Sequence, residues 1–423
     1  MLLGLRDAFA SAPTDVQFEV FSYYPTRDKR VAKDYDNLAV HPGHPKDIFF
    51  KLMPALLLPR FARRFLPEGW QAAVDALRQC DGVLLMGGTT FADSMLYKVP
   101  WNVLAALPGY WLRKPTVFLS QTLGPCRNWL NRVAARWTLR RAADVHGRGR
   151  RSAACGRDLG VSRCSYQPDL SFSMKVPEFS PLADRIEALG GVRQAMRDSG
   201  RRAVGVTPNT IVYQKAQRLG RDYIQFLVTV VTAIHRLGYL PVIIPHSYGT
   251  EEKSLHNNDR ALCRRLLTCL PPDVPCHYVD SDLSAPQLRS LIGQLDLLVA
   301  SRFHSMVSAL AMGVPPLTFG WGHHKYREVL AEFGADELYV AYDQLDEWAV
   351  RSQLQLTLDK RDELSDRIRQ HLAAVTGQSN AIVQRITRAV ETAQSARSRE
   401  LEPAPLRFRN ILPRRETRGT QAT

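Results

Sequence analysis

The chain has 423 residues, 45% of them hydrophobic and 23% charged, with a formal net charge of +15. That length and composition suit two globular domains, and no apolar run approaches the roughly 18 to 20 residues of a membrane-spanning helix. The seven cysteines show no Cys-x-x-Cys or zinc-like spacing, and no basic-then-apolar leader opens the chain, which argues against a metal site and against secretion and makes a cytoplasmic protein the expectation.

Short apolar or β-branched runs recur at Val16–Tyr24, Asp81–Met86, Thr116–Ser120, Val204–Val206, Tyr239–Pro245 and Leu295–Ala300, separated by amphipathic segments. Continuous apolar runs of this length suit parallel strands covered by helices on both faces. The pattern therefore predicts an α/β fold of two Rossmann-like domains facing a cleft. The first is expected over residues 1–195, and the polar stretch with Gly190, Gly191, Asp198 and Gly200 reads as the connection. The second is expected over 196–376. Helices are expected near Leu345–Arg369 and Ala381–Gln394, with a C-terminal helix at 377–399. Residues 400–423, rich in Pro and Arg, read as a disordered basic tail.

The positive charge is localised. Ten arginines lie between Arg127 and Arg163 against Asp144 and Asp158, and seven lie beyond Arg397 against three glutamates. Nucleic acid, an anionic membrane surface and an anionic substrate are the three candidate partners. No nucleic-acid module or aromatic stacking platform accompanies the charge, so nucleic acid is set aside. Arg132, Arg136 and Arg140 form a stripe read as lying opposite Trp129, Val133 and Trp137. Ile48–Leu66 mixes Phe49, Phe50, Leu56–Leu58 and Phe65 with Lys51, Arg60, Arg63 and Arg64. Each segment has two readings: a solvated surface (for Ile48–Leu66, a loop around Pro54 and Pro59), or peripheral docking to an anionic inner leaflet.

Four segments place polar residues just past strands, where α/β sheets bind ligands. In Asp296–Phe319 a buried strand empties into Ser301-Arg302-Phe303-His304 and a helix follows. Free N–H groups and the helix dipole favour an anion there, Arg302 adds a forked cation, and His304 adds a proton carrier near neutral pH. The plainer reading is a structural ion pair for Arg302 and a helix cap for His304. In Val83–Ser94 the Gly87-Gly88 turn allows close backbone approach to a ligand. Asp93 there is either a base or a helix cap. Thr116–Pro125 carries Ser120, Gln121 and Thr122. Val145–Ser152 carries Arg148, Arg150 and Arg151, an anion clamp in which at least one arginine should be solvated. His246 also follows a strand.

In this order the segments resemble the polysaccharide pyruvyl transferase family. The matching positions are Gly87, Gly88 and Asp93; Gln121, Gly124 and Pro125; Arg148 and Ser152; Asp169 and Phe172; and Ser301 to His304 followed by Gly313-Val314-Pro315. Gly322-His323-His324-Lys325-Tyr326 is similar to the family's lysine-containing loop, and of its adjacent histidines at most one is expected to face the site. The resemblance runs from about residue 80 to 345. This sequence departs from the pattern at Thr89 (third glycine), Ser120 (the glycine before Gln121), Gly149 (usually glutamate) and Leu170 (usually proline). The opening Met1–Leu5 resembles the middle of the family's first helix, so the N-terminal domain is expected to lack its first βα unit.

The resemblance implies a fold similar to the glycosyltransferase-B type and transfer of a pyruvyl group from phosphoenolpyruvate to sugar hydroxyls as a ketal. Phosphoenolpyruvate is then a co-substrate, with no cofactor and no obligatory metal. The acceptor is a sugar of a cell-surface or extracellular polysaccharide, lipid-linked in one reading. His304 would carry the proton and Arg302 the developing charge. Arg148, Ser301, Lys325, Gly87, Gly88, Gln121, Asp93 and His246 would hold substrate. Two alternatives stand beside this: a nucleotide-sugar-dependent glycosyltransferase of the same architecture, and a non-catalytic carbohydrate- or membrane-binding relic.

Overall fold

A computed structural model describes residues 1–11, 16–248, 258–320, 324–341 and 347–401. The expected disordered tail lies, from residue 402 onward, outside them, as do Gly322 and His323.

All the described strands pair in parallel. A first pair joins β1 (Phe18–Ser22) to β2 (Leu38–Pro42). A four-stranded sheet runs in sequence order from β3 (Val83–Met86) through β4 (Thr116–Gln121) and β5 (Asp144–Gly147) to β6 (Cys164–Tyr166). The third sheet contains β7 (Ala203–Thr207), β8 (Leu240–Ile243), β9 (His277–Tyr278), β10 (Leu297–Ala300), β11 (Pro316–Gly320) and β12 (Tyr339–Ala341). Its spatial order is β12-β11-β10-β7-β8-β9. β7, β8, β10 and β11 are buried along their whole length, as runs sandwiched between helices must be. β2, β6, β9 and β12, absent from the sequence-based reading, are short and mostly half-buried, and so carry no long apolar run.

The helices that matter for the site are, in chain order, α1 (Leu2–Ala10), α2 (Val99–Trp111), α3 (Trp129–Leu139), α4 (Arg150–Asp158), α5 (Phe179–Arg185), α6 (Glu187–Ser199), α7 (Ala285–Ile292), α8 (Phe303–Ala311), α9 (His324–Glu332), α10 (Arg361–Asn380) and α11 (Ile382–Leu401).

The chain crosses between lobes earlier than the Gly190–Gly200 stretch suggests. Phe172 already belongs to the large core around the six-stranded sheet, and so do Phe179 and Ala183 of α5 and Leu189 and Val192 of α6. The glycines that mimic a linker serve packing instead: a Cβ on Gly190 would lie 2.8 Å from the Ala183 carbonyl, so they let α5 and α6 approach closely. Crossing back, α10 leads into α11. There Ile382, Val383 and Ile386 pack with Leu5, Val117 and Leu119 of the first lobe, and Arg385 pairs with Asp144 at 3.0 Å.

β7 is flanked by β8 on one side and β10 on the other. The chain fills one side first and then returns to the other, so the gap between the ends of β7 and β10 is a topological switch point. Ala300 is in register with Thr207, and the next residue, Ser301, donates its N–H to the Thr207 carbonyl at 3.3 Å.

Two surface expectations change. α3 buries Asn131, Ala135, Thr138 and Leu139, so its arginine stripe and its Trp129-Val133-Trp137 stripe lie side by side on the outer face rather than opposite one another. Residues 45–63 form short helical turns instead of a loop around the prolines.

Candidate active site

The turn after β10 is built from the inside. Ser301 is buried, and its Oγ accepts a hydrogen bond from the Tyr223 hydroxyl at 2.8 Å. Its carbonyl accepts from Asn209 Nδ2 at 2.7 Å. Arg302 turns its fork onto Asp259, with Nε–Oδ2 at 2.9 Å and Nη2–Oδ1 at 2.6 Å, and Nη2 also reaches Thr210 Oγ1 at 2.9 Å. Asp259 is fully buried and also accepts from the backbone N–H of Ser247 and Thr210. Expected as a substrate ligand and a catalytic cation, Ser301 and Arg302 are placed here as braces that hold the ends of β7, β8 and β10 together. A bidentate guanidinium–carboxylate pair suits that task.

Phe303 is the hub. Its ring carries the Arg148 guanidinium 4.4 Å from its centroid and the Lys325 ammonium 5.0 Å from it. Arg148 comes from the end of β5 in the first lobe and Lys325 from α9 in the second, so one aromatic ring gathers cations from both lobes. Arg148 is buried, with Nε donating to Thr122 Oγ1 at 2.7 Å and Nη1 to Asp169 Oδ2 at 3.2 Å. Asp169 is fully buried. The burial penalty on its carboxylate is outweighed by His304, Arg148 and a bond from Ser171, so it is held well below the usual carboxylate range. Burial pushes the Lys325 ammonium well down from its ordinary value, and Arg148 adds to the effect.

His304 lies beside this group with its ring edge on Phe303, open to solvent on one side and crowded by protein on the others. Loss of water lowers its pKa, Asp169 opposes that shift and Arg148 adds to it, leaving a neutral imidazole at pH 7. His246, at the end of β8, is pushed down to about 4 by burial, with Arg302 and Arg289 contributing. Arg289 of α7 was missing from the sequence reading. It is buried, donates to the Ser171 carbonyl at 2.6 Å and is lowered to about 10 by burial. Its Nε has no hydrogen-bond partner among the described residues. Only the helical phase of α7 points it inward, and no motif marks it. Among the described residues no cluster of three or more His, Cys, Asp or Glu side chains is placed to hold a metal ion.

Three predicted ligands are engaged elsewhere. Gln121 is fully buried, its Nε2 donating to the carbonyls of Leu85 (2.9 Å) and Leu119 (2.8 Å) and its Oε1 accepting from Thr90 (2.9 Å). A Cβ on Gly87 would lie 2.3 Å from that amide, so Gly87 makes room for Gln121 rather than for a ligand. Gly88 alone faces open space. Asp93 accepts from the N–H groups of Arg127 (2.6 Å) and Asn128 (3.2 Å) and from Asn131 Nδ2 (2.9 Å); it fixes the entry to α3 and is not a base. Of the basic cluster, Arg150 and Arg151 are exposed.

The glycine at 149 has a partner across the cleft. Glu328 of α9 accepts from the Arg151 N–H at 2.6 Å, and a Cβ on Gly149 would lie 2.4 Å from its Oε2. A carboxylate from the second lobe thus sits on the first turn of α4, where the helix dipole favours it. His324 is 3.5 Å from the same carboxylate, half-buried and turned away from the Phe303 hub.

With this geometry in hand, comparison with known proteins is decisive on one point: residues 1–324 match the family model for polysaccharide pyruvyl transferase. The chain belongs to the polysaccharide pyruvyl transferase family. A relative of this pyruvyl transferase, the amylovoran biosynthesis protein AmsJ of Erwinia amylovora, is 21% identical over 387 residues, covering 87% of this chain and 90% of its own. Family and relative together support a role in polysaccharide biosynthesis. Among solved structures, a UDP-GlcNAc 2-epimerase of Neisseria meningitidis aligns with a TM-score of 0.56 at 10% identity, over 92% of this chain and 96% of its own. A trehalose 6-phosphate synthase of Burkholderia multivorans aligns with a TM-score of 0.50 at 14% identity, over 87% and 86%. At such identity they establish the fold, which is of the glycosyltransferase-B type.

Proposed function

We propose that this pyruvyl transferase takes phosphoenolpyruvate as donor and closes a cyclic ketal on two hydroxyls of a polysaccharide sugar. The observation that carries the reading is the pair Arg148 and Lys325, one from each lobe, lying on the Phe303 ring beside a neutral His304. A donor with a carboxylate and a phosphate needs several cations from different directions. Arg148, Lys325 and Arg289 would meet it, and Gly88 leaves the backbone open for a ligand to approach.

In the first step a sugar hydroxyl oxygen bonds to the central carbon of the enol, and the methylene carbon takes a proton to become methyl. In the second, another hydroxyl of the same sugar bonds to that carbon while its bond to the phosphate oxygen breaks. Two hydroxyl protons leave. One matches the proton gained at carbon, and the other departs with phosphate or solvent. His304 is neutral and solvent-facing, placed to accept a hydroxyl proton and return it. Asp169, low in pKa, stays an anion and steadies the imidazolium that forms. Arg302 acts through position, holding the turn that aims His304.

Incubation with phosphoenolpyruvate and a glycan acceptor should release phosphate only when the acceptor is present. His304→Gln should lower turnover about 10²–10⁴-fold while leaving phosphoenolpyruvate binding in place. Release of nucleoside diphosphate from a nucleotide sugar, with none of phosphate from phosphoenolpyruvate, would sink the reading.

A further inference from the structure

We infer that the outer face of the first lobe is a docking surface for an anionic phospholipid bilayer. Two segments carry it, and both expose what a soluble surface normally hides. Along residues 46–65, Phe49, Phe50, Leu57, Phe61 and Phe65 face solvent; Phe50 is 68% exposed and Phe65 76%. On α3, Trp129 (69% exposed), Leu130, Val133 and Trp137 do the same. α2 packs against the turns at 45–52 on one side and against α3 on the other, so the two segments belong to one layer.

The charge of that layer selects the partner. Residues 45–66 hold five basic residues against Asp47, which pairs with Lys51 at 2.8 Å. Residues 127–141 hold five arginines and no acid. Arg64 lies over the Phe65 ring at 5.0 Å and Arg141 over Trp137 at 4.3 Å, so cations and rings occupy the same patch of surface. Outward aromatics and leucines interleaved with arginine match the boundary between acyl chains and acidic headgroups. Nucleic acid would use the charge but offers nothing to Phe50, Leu57 or Val133. A second copy of this chain would bring the same positive charge against itself.

This surface lies outside the site and stands whether or not the donor is phosphoenolpyruvate. It adds a place of action: a glycan acceptor held at the bilayer. The test is cosedimentation of the full chain with vesicles of neutral phosphatidylcholine and with vesicles containing about one third phosphatidylglycerol. Binding should require the acidic lipid and weaken as salt rises. Arg132→Gln with Arg136→Gln should weaken partitioning about thirtyfold, at about tenfold per kcal-scale headgroup contact squared down by screening. Phe50→Ser with Phe65→Ser should weaken it at least tenfold. All four positions are exposed, so thermal melts should match the parent, and vesicle binding is read without reference to activity. Equal binding to neutral vesicles, no binding to either, or unchanged binding in both double variants would overturn the inference. So would a stable dimer abolished by the phenylalanine variant, or binding to DNA in place of vesicles.

Discussion

Gln121 separates a residue that looks functional from one that is structural. Its amide sits where a ligand contact is expected, yet both donors and the acceptor serve the Gly87–Thr90 turn. Gln121→Leu should therefore cost about 2 kcal/mol of stability by leaving buried carbonyls without donors. Calorimetric donor affinity of the folded fraction should remain close to the parent's. Titration behaves differently at Glu332, which burial raises to about 7 with Tyr166 and Glu328 nearby, and whose carboxylate oxygens find no partner among the described residues. An unfolded glutamate ionises near 4.5 while the folded one keeps its proton to about 7, so this group lowers stability as pH rises through that window. His246 works the other way: the unfolded ring takes a proton below about 6.5 that the folded ring refuses until about 4, so stability falls as pH drops through that window. Glu332→Gln should melt about as the parent does at pH 5 and show a gain of about 1–2 kcal/mol by pH 8. Parallel melting curves at both pH values would contradict this.

Among elements, the Glu328 contact joins α9 to α4 across the cleft and sits one turn after Lys325. Glu328→Ala should remove about 1 kcal/mol of capping and dipole energy and raise the KM for donor more than it lowers kcat, because Lys325 loses its fixed approach. Glu328→Gln, which can still accept from the Arg151 N–H, should recover most of the KM. Equal kinetics in all three proteins would show the contact to be incidental. The same contact marks the limit of what sequence reveals. The buried strands β7, β8 and β10 are legible because each is one unbroken apolar run, and so is the turn that follows β10. Gly149 reads only as a lost glutamate. The acid that occupies its space lies far along the chain, and no local pattern joins the two positions. Ser120 is similar: its φ of 51° is the left-handed backbone that favours glycine, and the serine is accommodated with its Oγ accepting from the Leu170 N–H at 3.3 Å. Arg302 was legible as important but not in its role, because Asp259 had no motif to announce it.

For the whole molecule, two lobes share one site, and the residues that meet there come from both. Arg148 and Asp169 arrive with the four-stranded sheet; His246, Arg289, His304 and Lys325 arrive with the six-stranded one. The architecture follows from the alternation of apolar runs and helices, while the point of passage between lobes does not, since the glycines of α6 imitate a linker. The chain in fact passes between lobes twice, once near Leu170–Ser173 and again where α10 gives way to α11. Two bodies joined at two points behave as a door on two pins: sliding and twisting are blocked, and one swing is left. Along that swing Arg148 and Lys325 move apart or together on either side of Phe303, so the width of the opening and the strength of the anion's grip change as a single quantity.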